Sequence, residues 1–240
     1  YSTFAAIDIG SYDVILEIFE ISKKQGIRSV DKICHRMELG KDTYTLGKIR
    51  PEMEEELCRV LADFVRIMEG YRVDAYRAMA SSAISEAANS LYVLGKIRQL
   101  TGLSVTVLSN SEQRFLGYKA LAAMEDNFNK VIEKGTAILD LDGGSFQISL
   151  FDKDALVTTQ NIRMGSLRVR ERLAGIQSET EHYEEMVEEL IWNEVSSFKK
   201  MYLKDRKIEN IMLIGDVFTD SVYQNIEEKI KNRHIDHGAL

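Results

Sequence analysis

The chain has 240 residues and a formal net charge of −7, and 45% of its residues are hydrophobic and 29% charged. This composition is ordinary for a globular protein and allows one large domain or two modest ones. The acidic balance argues against nonspecific nucleic-acid binding, and no apolar run reaches the roughly 18 residues that cross a membrane. The two cysteines, Cys34 and Cys58, show no CxxC spacing, which indicates a reduced, cytoplasmic location.

A β-hairpin is predicted at the start of the chain, where an apolar segment leads into Asp8-Ile9-Gly10-Ser11 and apolar residues then alternate. Pro51, the only proline, is well placed in the first turn of a helix that ends at Gly70. The other elements predicted in the first half are a strand at 27–38, turns at 39–41 and 46–48, a strand at 73–79, a helix from 81 to 94, a strand at 103–108 and a helix at 112–124.

A polar stretch at 125–134 is predicted as the domain boundary, so that the chain forms lobes at 1–124 and 125–240. The second lobe repeats the order of the first, with a hairpin whose turn is Asp140-Leu141-Asp142-Gly143-Gly144-Ser145. After this hairpin come a strand at 155–162, a turn at 164–166, a helix at about 179–202 and a strand at 211–214.

Both hairpin turns combine acidic side chains, glycine and serine, and this chemistry suits a phosphate. Glycine lets the backbone approach a ligand, turn amides point at an anion, and aspartate holds a metal ion or a water. Two such turns indicate a duplicated fold with a phosphate site between its halves, and the alternative is two unrelated tight turns. Binding a polyanion also requires positively charged side chains, and the candidates are Arg163, Arg168, Arg170 and Arg172. The alternative is that these arginines form a solvated helix face.

Several short motifs resemble, in their order and spacing, the exopolyphosphatase/guanosine-pentaphosphatase (Ppx/GppA) family, and the likeness covers nearly the whole chain. The family belongs to the actin/Hsp70/sugar-kinase superfamily, whose two α/β halves open with hairpins of this kind. The matching segments are 4–11, 39–40, 80–84 with Ala87 and Asn89, 108–109 with Glu112, Leu116 and Tyr118, 139–145, and 163–166.

The resemblance implies a two-lobed α/β fold of the actin-like ATPase (ribonuclease H-like) type, with the ligand in the interlobe cleft. It implies removal of terminal phosphate from polyphosphate or guanosine pentaphosphate, with Mg²⁺ and a glutamate that activates water. Neither nucleic acid nor a membrane is then expected as a partner, and a homodimer is the expected assembly. By the same resemblance the phosphate-binding residues are Asp8, Gly10, Ser11, Ser85, Gly143, Gly144, Ser145 and Gln147, and the metal-binding residues are Asp8, Asp140 and Asp142.

This sequence departs from the family pattern at the residues that carry the chemistry. The position of the family's catalytic glutamate holds Gln113, a neutral amide that cannot accept a proton, and Glu112 lies one residue, about 100°, away on the helix. Ser85 replaces an arginine, and Gln147 replaces a glutamate. Asp142 replaces a glycine and brings a carboxylate to a turn whose amides should meet phosphate, so that like charges repel.

Two interpretations follow from these departures. In the first, the protein is still a hydrolase, and Glu112, Asp142 or Asp8 takes the role of base or metal ligand. In the second, it is a noncatalytic relative that binds a phosphorylated ligand, or only a protein partner. The family's third glycine motif is reduced to Ile214-Gly215-Asp216-Val217, and we expect the second lobe to be shortened at its carboxyl end.

Overall fold

The computed structural model describes residues 1–124, 127–177 and 182–215 of the chain. Its strands are β1 Ser2–Ile9, β2 Asp13–Ser22, β3 Gly26–Arg36, β4 Ala75–Ala80, β5 Val105–Val107, β6 Thr136–Leu141, β7 Phe146–Asp152, β8 Ala155–Ile162 and β9 Asn210–Ile214. Its helices are α1 Leu39–Leu46, α2 Pro51–Gly70, α3 Ser82–Ser85, α4 Ser90–Thr101, α5 Asn110–Met124, α6 Phe128–Ile132, α7 Ser166–Gln177 and α8 Tyr183–Tyr202. No helix in the described part of the chain is both long enough and apolar enough to cross a membrane.

The contacts between residues divide the chain into two compact units. The first is Tyr1–Asp126 with Leu167–Glu185, and the second is Asn127–Ser166 with Met186–Leu240. The predicted division, with a single boundary at residue 125, differs from this one because most of α7 packs on the first unit. Leu167, near the start of α7, lies against Gly40, and Arg170 forms an ion pair with Glu38 at 2.7 Å.

The first unit is built on a five-stranded sheet in the order β3-β2-β1-β4-β5. β1 pairs antiparallel with β2, as the predicted hairpin requires, and parallel with β4. Side chains alternate between the faces of these strands, and Asp8 lies on the face away from the core, where it is exposed. The core joins Ala5, Ile7, Ile9, Val14, Leu16 and Ile18 of the hairpin to Leu57, Leu61, Phe64 and Met68 of α2.

The second unit is built on a four-stranded sheet in the order β8-β7-β6-β9. β6 and β7 form the second predicted hairpin, and β6 pairs parallel with β9. Ile148, Leu150 and Ile162 are buried on one face of this sheet together with Phe198 of α8. This arrangement repeats the first unit, in which an antiparallel hairpin also has a parallel strand beside its first strand.

Each predicted turn begins where a strand ends beside its parallel neighbour. In the first unit Ile9 of β1 pairs with Ala80 of β4, and in the second Asp140 of β6 pairs with Ile214 of β9. Gly215 follows β9 with φ 127°, and a Cβ at this position would lie 2.0 Å from the carbonyl oxygen of Leu141. The carboxyl ends of parallel strands are the edge at which α/β sheets bind ligands, so each turn lies at the expected edge of its sheet.

Several local predictions need correction. The turn predicted at 39–41 is the start of α1, and the helix predicted from 81 to 94 is two helices, α3 and α4. α6 lies within the stretch predicted as a polar linker, because Phe128 and Ile132 bury its apolar side. The first residues of the predicted helix at 179–202, and Asp216-Val217 of the third glycine motif, lie outside the described residues.

Candidate functional site

The first turn, between β1 and β2, is a tight hairpin. The N–H of Gly10 donates to the carbonyl of Asp13 at 2.9 Å, and a Cβ on Gly10 would lie 3.0 Å from the same oxygen. A side chain at Gly10 would therefore crowd the backbone that closes the hairpin, which is the local reason for glycine here.

The hydroxyl of Ser11 is buried and already hydrogen-bonded within the first unit. Ser11 is 3% exposed, and its Oγ shares a 2.7 Å hydrogen bond with the hydroxyl of Tyr44, which shares another of 2.7 Å with Ser82 Oγ. The guanidinium of Arg168 lies 4.0 Å from the centre of the Tyr44 ring and pairs with Glu86 at 2.9 Å. The hydroxyl predicted to bind phosphate thus belongs to a polar network of the chain's own side chains.

Two of the four arginines predicted as a basic cluster form ion pairs inside the first unit. Arg168 pairs with Glu86, and Arg170 donates to both carboxylate oxygens of Glu38, at 3.2 and 2.7 Å. Hydrogen bonds from Arg170 hold the pKa of Glu38 below its usual value. Because these positive charges are compensated locally, they attract a polyanion less than the sequence alone predicts.

The second turn, between β6 and β7, is closed by the side chain of its own Asp142. Oδ1 of Asp142 accepts hydrogen bonds from the N–H groups of Gly144 and Ser145, both at 2.7 Å. The N–H of Asp142 donates in turn to the carbonyl of Ser145 at 3.1 Å. The amides that the family resemblance assigns to a phosphate therefore bind a carboxylate of the chain itself.

The backbone of the second turn also contacts Gly165 and Ser166, at the start of α7. A Cβ on Gly165 would lie 2.3 Å from the backbone nitrogen of Ser145 and 2.4 Å from the carbonyl carbon of Gly143, so only glycine fits this approach. The N–H of Ser166 donates to the carbonyl of Asp142 at 3.0 Å. These backbone contacts hold the shape of the turn independently of its side chains.

Asp140 and Gln147 are paired residues of β6 and β7, so their side chains lie on the same face of the sheet. The pKa of Asp140 is raised from 3.8 to about 6. Burial is the main cause, and the charge of Asp142 is the second. Gln147 is 1% exposed, and its Oε1 is buried without a hydrogen-bond partner. An unpaired buried amide oxygen costs free energy, so this pair of residues presents oxygen atoms that a donor or a cation would satisfy.

These oxygen atoms fit the divalent cation that the family resemblance implies, because Mg²⁺ takes carboxylate and carbonyl oxygens as ligands. Of the other two aspartates predicted as ligands, Asp142 has its Oδ1 engaged by the turn amides, and Asp8 is an exposed residue of the first unit. Within residues 1–124, 127–177 and 182–215, no group of three or more His, Cys, Asp or Glu side chains is placed to bind a metal ion. Asp140 and Gln147 are therefore the pair whose environment best suits the cation.

Glu112, the carboxylate nearest the family's catalytic position, is engaged at the start of α5. Its Oε2 accepts hydrogen bonds from the N–H of Ser109 at 2.9 Å and from the Ser109 hydroxyl at 2.8 Å, and its own N–H donates back to Ser109 Oγ at 3.3 Å. This reciprocal pattern is a capping box. The hydrogen bonds from Ser109 lower the pKa of Glu112 and make it a weaker base, while Gln113 beside it is half-buried.

The remaining predicted site residue, Ser85, is exposed in α3, three residues after Ser82. Sequence reasoning missed Tyr44 and Ser82, because no local pattern announces a hydroxyl contact between residues 38 positions apart. The capping box is predictable from the sequence, because Ser109 and Glu112 have the required S-x-x-E spacing. The structure thus gathers the predicted residues of each turn within its own unit and adds partners that the sequence did not reveal.

Comparison with solved structures supports the fold. The Ppx/GppA family member from Aquifex aeolicus aligns with a TM-score of 0.66 at 22% identity, covering 88% of this chain and 65% of that chain. An exopolyphosphatase from Cytophaga hutchinsonii aligns with a TM-score of 0.70 at 19% identity, covering 95% of this chain and 72% of that chain. These similarities confirm the predicted α/β fold of the actin-like type.

Similarity in sequence extends to named relatives. The bifunctional 3-dehydroquinate synthase/phosphatase of Fusobacterium nucleatum is 21% identical in an alignment 240 residues long that covers 95% of this chain and 34% of that protein. Exopolyphosphatase 1 of Mycobacterium leprae is 25% identical over 144 residues, or 60% of this chain and 41% of that protein. The chain thus matches only about a third to two-fifths of the length of these curated relatives. The model of the Ppx/GppA phosphatase family matches residues 17–240, and the chain therefore belongs to this family.

Proposed function

We propose that this chain binds the phosphoryl groups of polyphosphate or guanosine pentaphosphate and is impaired in hydrolysing these ligands. Family membership and the two glycine turns at the carboxyl ends of β1 and β6 support the ligand class. The impairment rests mainly on the start of α5, where Gln113 takes the position of the family's glutamate and Glu112 is bound to Ser109.

The chemistry of Glu112 explains why it does not replace the missing base. A general base must reach the attacking water and have a pKa near the working pH. Glu112 has a lowered pKa, and its Oε2 accepts two hydrogen bonds from Ser109, so protonating it would weaken the start of its own helix. Gln113 has an amide in place of a carboxylate and does not take a proton at neutral pH.

Mg²⁺ fits the proposal as a partner of the phosphoryl ligand. When bound, it neutralises charge on the phosphoryl oxygens. Asp140 and the orphaned Oε1 of Gln147 would hold it, since both are oxygen donors on one face of the second sheet. The homodimer stays a prediction of the family resemblance, and sedimentation velocity would test it.

Release of phosphate from polyphosphate and guanosine pentaphosphate, in the presence of Mg²⁺, tests the impairment directly. The wild-type chain is compared with Gln113→Glu, with Glu112→Ala and with Gln99→Glu, which makes the same charge change at an exposed position of α4. We expect the wild-type chain and Gln99→Glu to remain at background. Gln113→Glu should release phosphate faster, because a positioned general base contributes about 100- to 10,000-fold.

Binding of radiolabelled triphosphate, measured by equilibrium dialysis, separates the other outcomes. Binding without turnover in any variant agrees with an impaired protein whose other substitutions also matter. Wild-type turnover that disappears in Glu112→Ala would contradict the proposal, since Glu112 would then be the base. Neither binding nor turnover would favour a role as a protein-interaction scaffold.

A further inference from the structure

The hydrogen bonds of the second turn point to a role for Asp142 that the family pattern does not contain. Two consecutive N–H groups, of Gly144 and Ser145, converge on one carboxylate oxygen at 2.7 Å. Such a distance is typical of charge-assisted hydrogen bonds, and converging backbone N–H groups are a common binding site for anions.

We propose that the carboxylate of Asp142 is an internal anion that occupies the amide pair of the second turn and determines which ligands the turn accepts. A phosphoryl oxygen reaches these amides only when the Asp142 side chain leaves them. The proposal rests on the proposed function, because it concerns a phosphoryl ligand at this turn.

Asp142 is an effective competitor because it is tethered within three residues of the amides that it binds. An N–H group has one hydrogen to donate, so a phosphoryl oxygen and the carboxylate cannot both take the same two donors. The carboxylate also has a high effective concentration, which a free ligand must exceed. Its negative charge adds repulsion, since like charges about 4 Å apart cost about 1 kcal/mol even in bulk water, or about fivefold in Kd.

The backbone of the turn does not depend on the Asp142 side chain alone. Gly165 contacts the backbone of Gly143 and Ser145, and the N–H of Ser166 holds the carbonyl of Asp142 at 3.0 Å. Removing the carboxylate should therefore expose two amides that are already oriented.

The competing explanation is that Asp142 only stabilises the turn, as an aspartate does in many tight turns. Both explanations predict a loss of stability when the side chain is removed, because its hydrogen bonds to the turn amides disappear. They differ in ligand binding, since only an internal competitor increases the affinity for an anion when it is removed.

The test is a titration with inorganic triphosphate at a fixed Mg²⁺ concentration, followed by calorimetry and by the amide resonances of Gly144 and Ser145. Asp142→Gly removes both the charge and the acceptor, and Asp142→Asn removes the charge alone. Asp205→Asn is the charge-matched control, at an exposed position of the second unit. Circular dichroism establishes that each variant is folded.

We expect Asp142→Gly to bind triphosphate at least about fivefold more tightly than the wild-type chain, in line with the charge term alone. Asp142→Asn should lie between them, and Asp205→Asn should match the wild type. In Asp142→Gly the resonances of Gly144 and Ser145 should shift on titration at concentrations that leave the wild type unchanged. A folded Asp142→Gly with wild-type affinity, or equal shifts in both proteins, would overturn the proposal.

The two proposals fail in different measurements. Hydrolysis by the wild-type chain would contradict the proposed impairment and is read from phosphate release. The role of Asp142 is tested by the ratio of the triphosphate affinities of Asp142→Gly and the wild-type chain, and by the amide resonances of Gly144 and Ser145. Neither measurement depends on the rate of turnover.

Discussion

The charge on Asp140 should destabilise the folded protein at neutral pH, and Asp140→Asn should remove this cost. Burial is the main cause of its raised pKa, followed by the charge of Asp142. A rise from 3.8 to about 6 corresponds to about 3 kcal/mol, because each pH unit of such a rise is worth about 1.4 kcal/mol. We therefore expect Asp140→Asn to increase the free energy of unfolding by up to about 3 kcal/mol at pH 7.5 in metal-free buffer.

The sign of the pH dependence follows from which state holds the proton. Between pH 3.8 and about 6 the folded protein keeps a proton on Asp140 that the unfolded chain has lost. The contribution of Asp140 to the free energy of unfolding is therefore greatest below pH 3.8 and is lost as the pH rises through about 6. At pH 5 the advantage of Asp140→Asn should be about half of its value at pH 7.5.

Urea unfolding at several pH values measures this difference. The fluorescence of Trp192, the only tryptophan, reports from α8 in the second unit, which also contains Asp140. Mg²⁺ should stabilise the wild-type chain at pH 7.5 more than Asp140→Asn, because a cation favours the ionised carboxylate. Parallel pH profiles for the two proteins in metal-free buffer would refute the reasoning, since the charge of Asp140 would then cost nothing on folding.

Three further substitutions, one of them with a matched control, test other parts of the structure. Ser109→Ala should lower the free energy of unfolding by about 1 kcal/mol, the usual cost of a lost N-cap. It removes the hydrogen bond from the Ser109 hydroxyl to Glu112 and keeps the one from the backbone N–H, so a carboxyl titration by NMR should show the pKa of Glu112 moving part of the way back to its normal value. Gly165→Ala should cost about 3 kcal/mol in urea unfolding, because its Cβ would overlap the backbone of Gly143 and Ser145. The control Gly95→Ala has open space at an exposed position of α4 and should stabilise by about 0.5–1 kcal/mol. Tyr44→Phe removes the hydroxyl that bridges two serines and should cost about 1–3 kcal/mol by thermal unfolding, and an unchanged melting temperature would mean that the bridge is replaced by water.

Much of the fold was predictable because its signals are local. Alternating apolar residues around Gly10 and Gly143 predicted both hairpins, and the register of β1 with β2 and of β6 with β7 confirms them. Pro51 and Gly70 marked the ends of α2, and the helix has these bounds. In each case the side chains that determine the element are its own residues or its immediate neighbours.

The features that the sequence did not predict share a different cause. Gly40 disfavours a helix by its intrinsic propensity, yet it lies in α1. Glycine is needed at this position because a Cβ would be 2.6 Å from the ring of Tyr44 and 2.8 Å from Leu167. Most of α7 belongs to the first unit, where Arg170 forms an ion pair with Glu38, 132 positions away. These contacts depend on distant parts of the chain, so no window of sequence contains them.

The candidate site shows the same division. The sequence by itself determined which chemical groups are present: an amide at Gln113, a carboxylate at Asp142, and two turns of glycine and serine. The contact of Asp142 with the amides of its own turn is local, whereas only the tertiary structure decided that Ser11 contacts Tyr44, 33 positions away. The physical reason is that composition and spacing specify covalent chemistry and local conformation, whereas the direction of a side chain is chosen by the free energy of the partners that folding brings within reach.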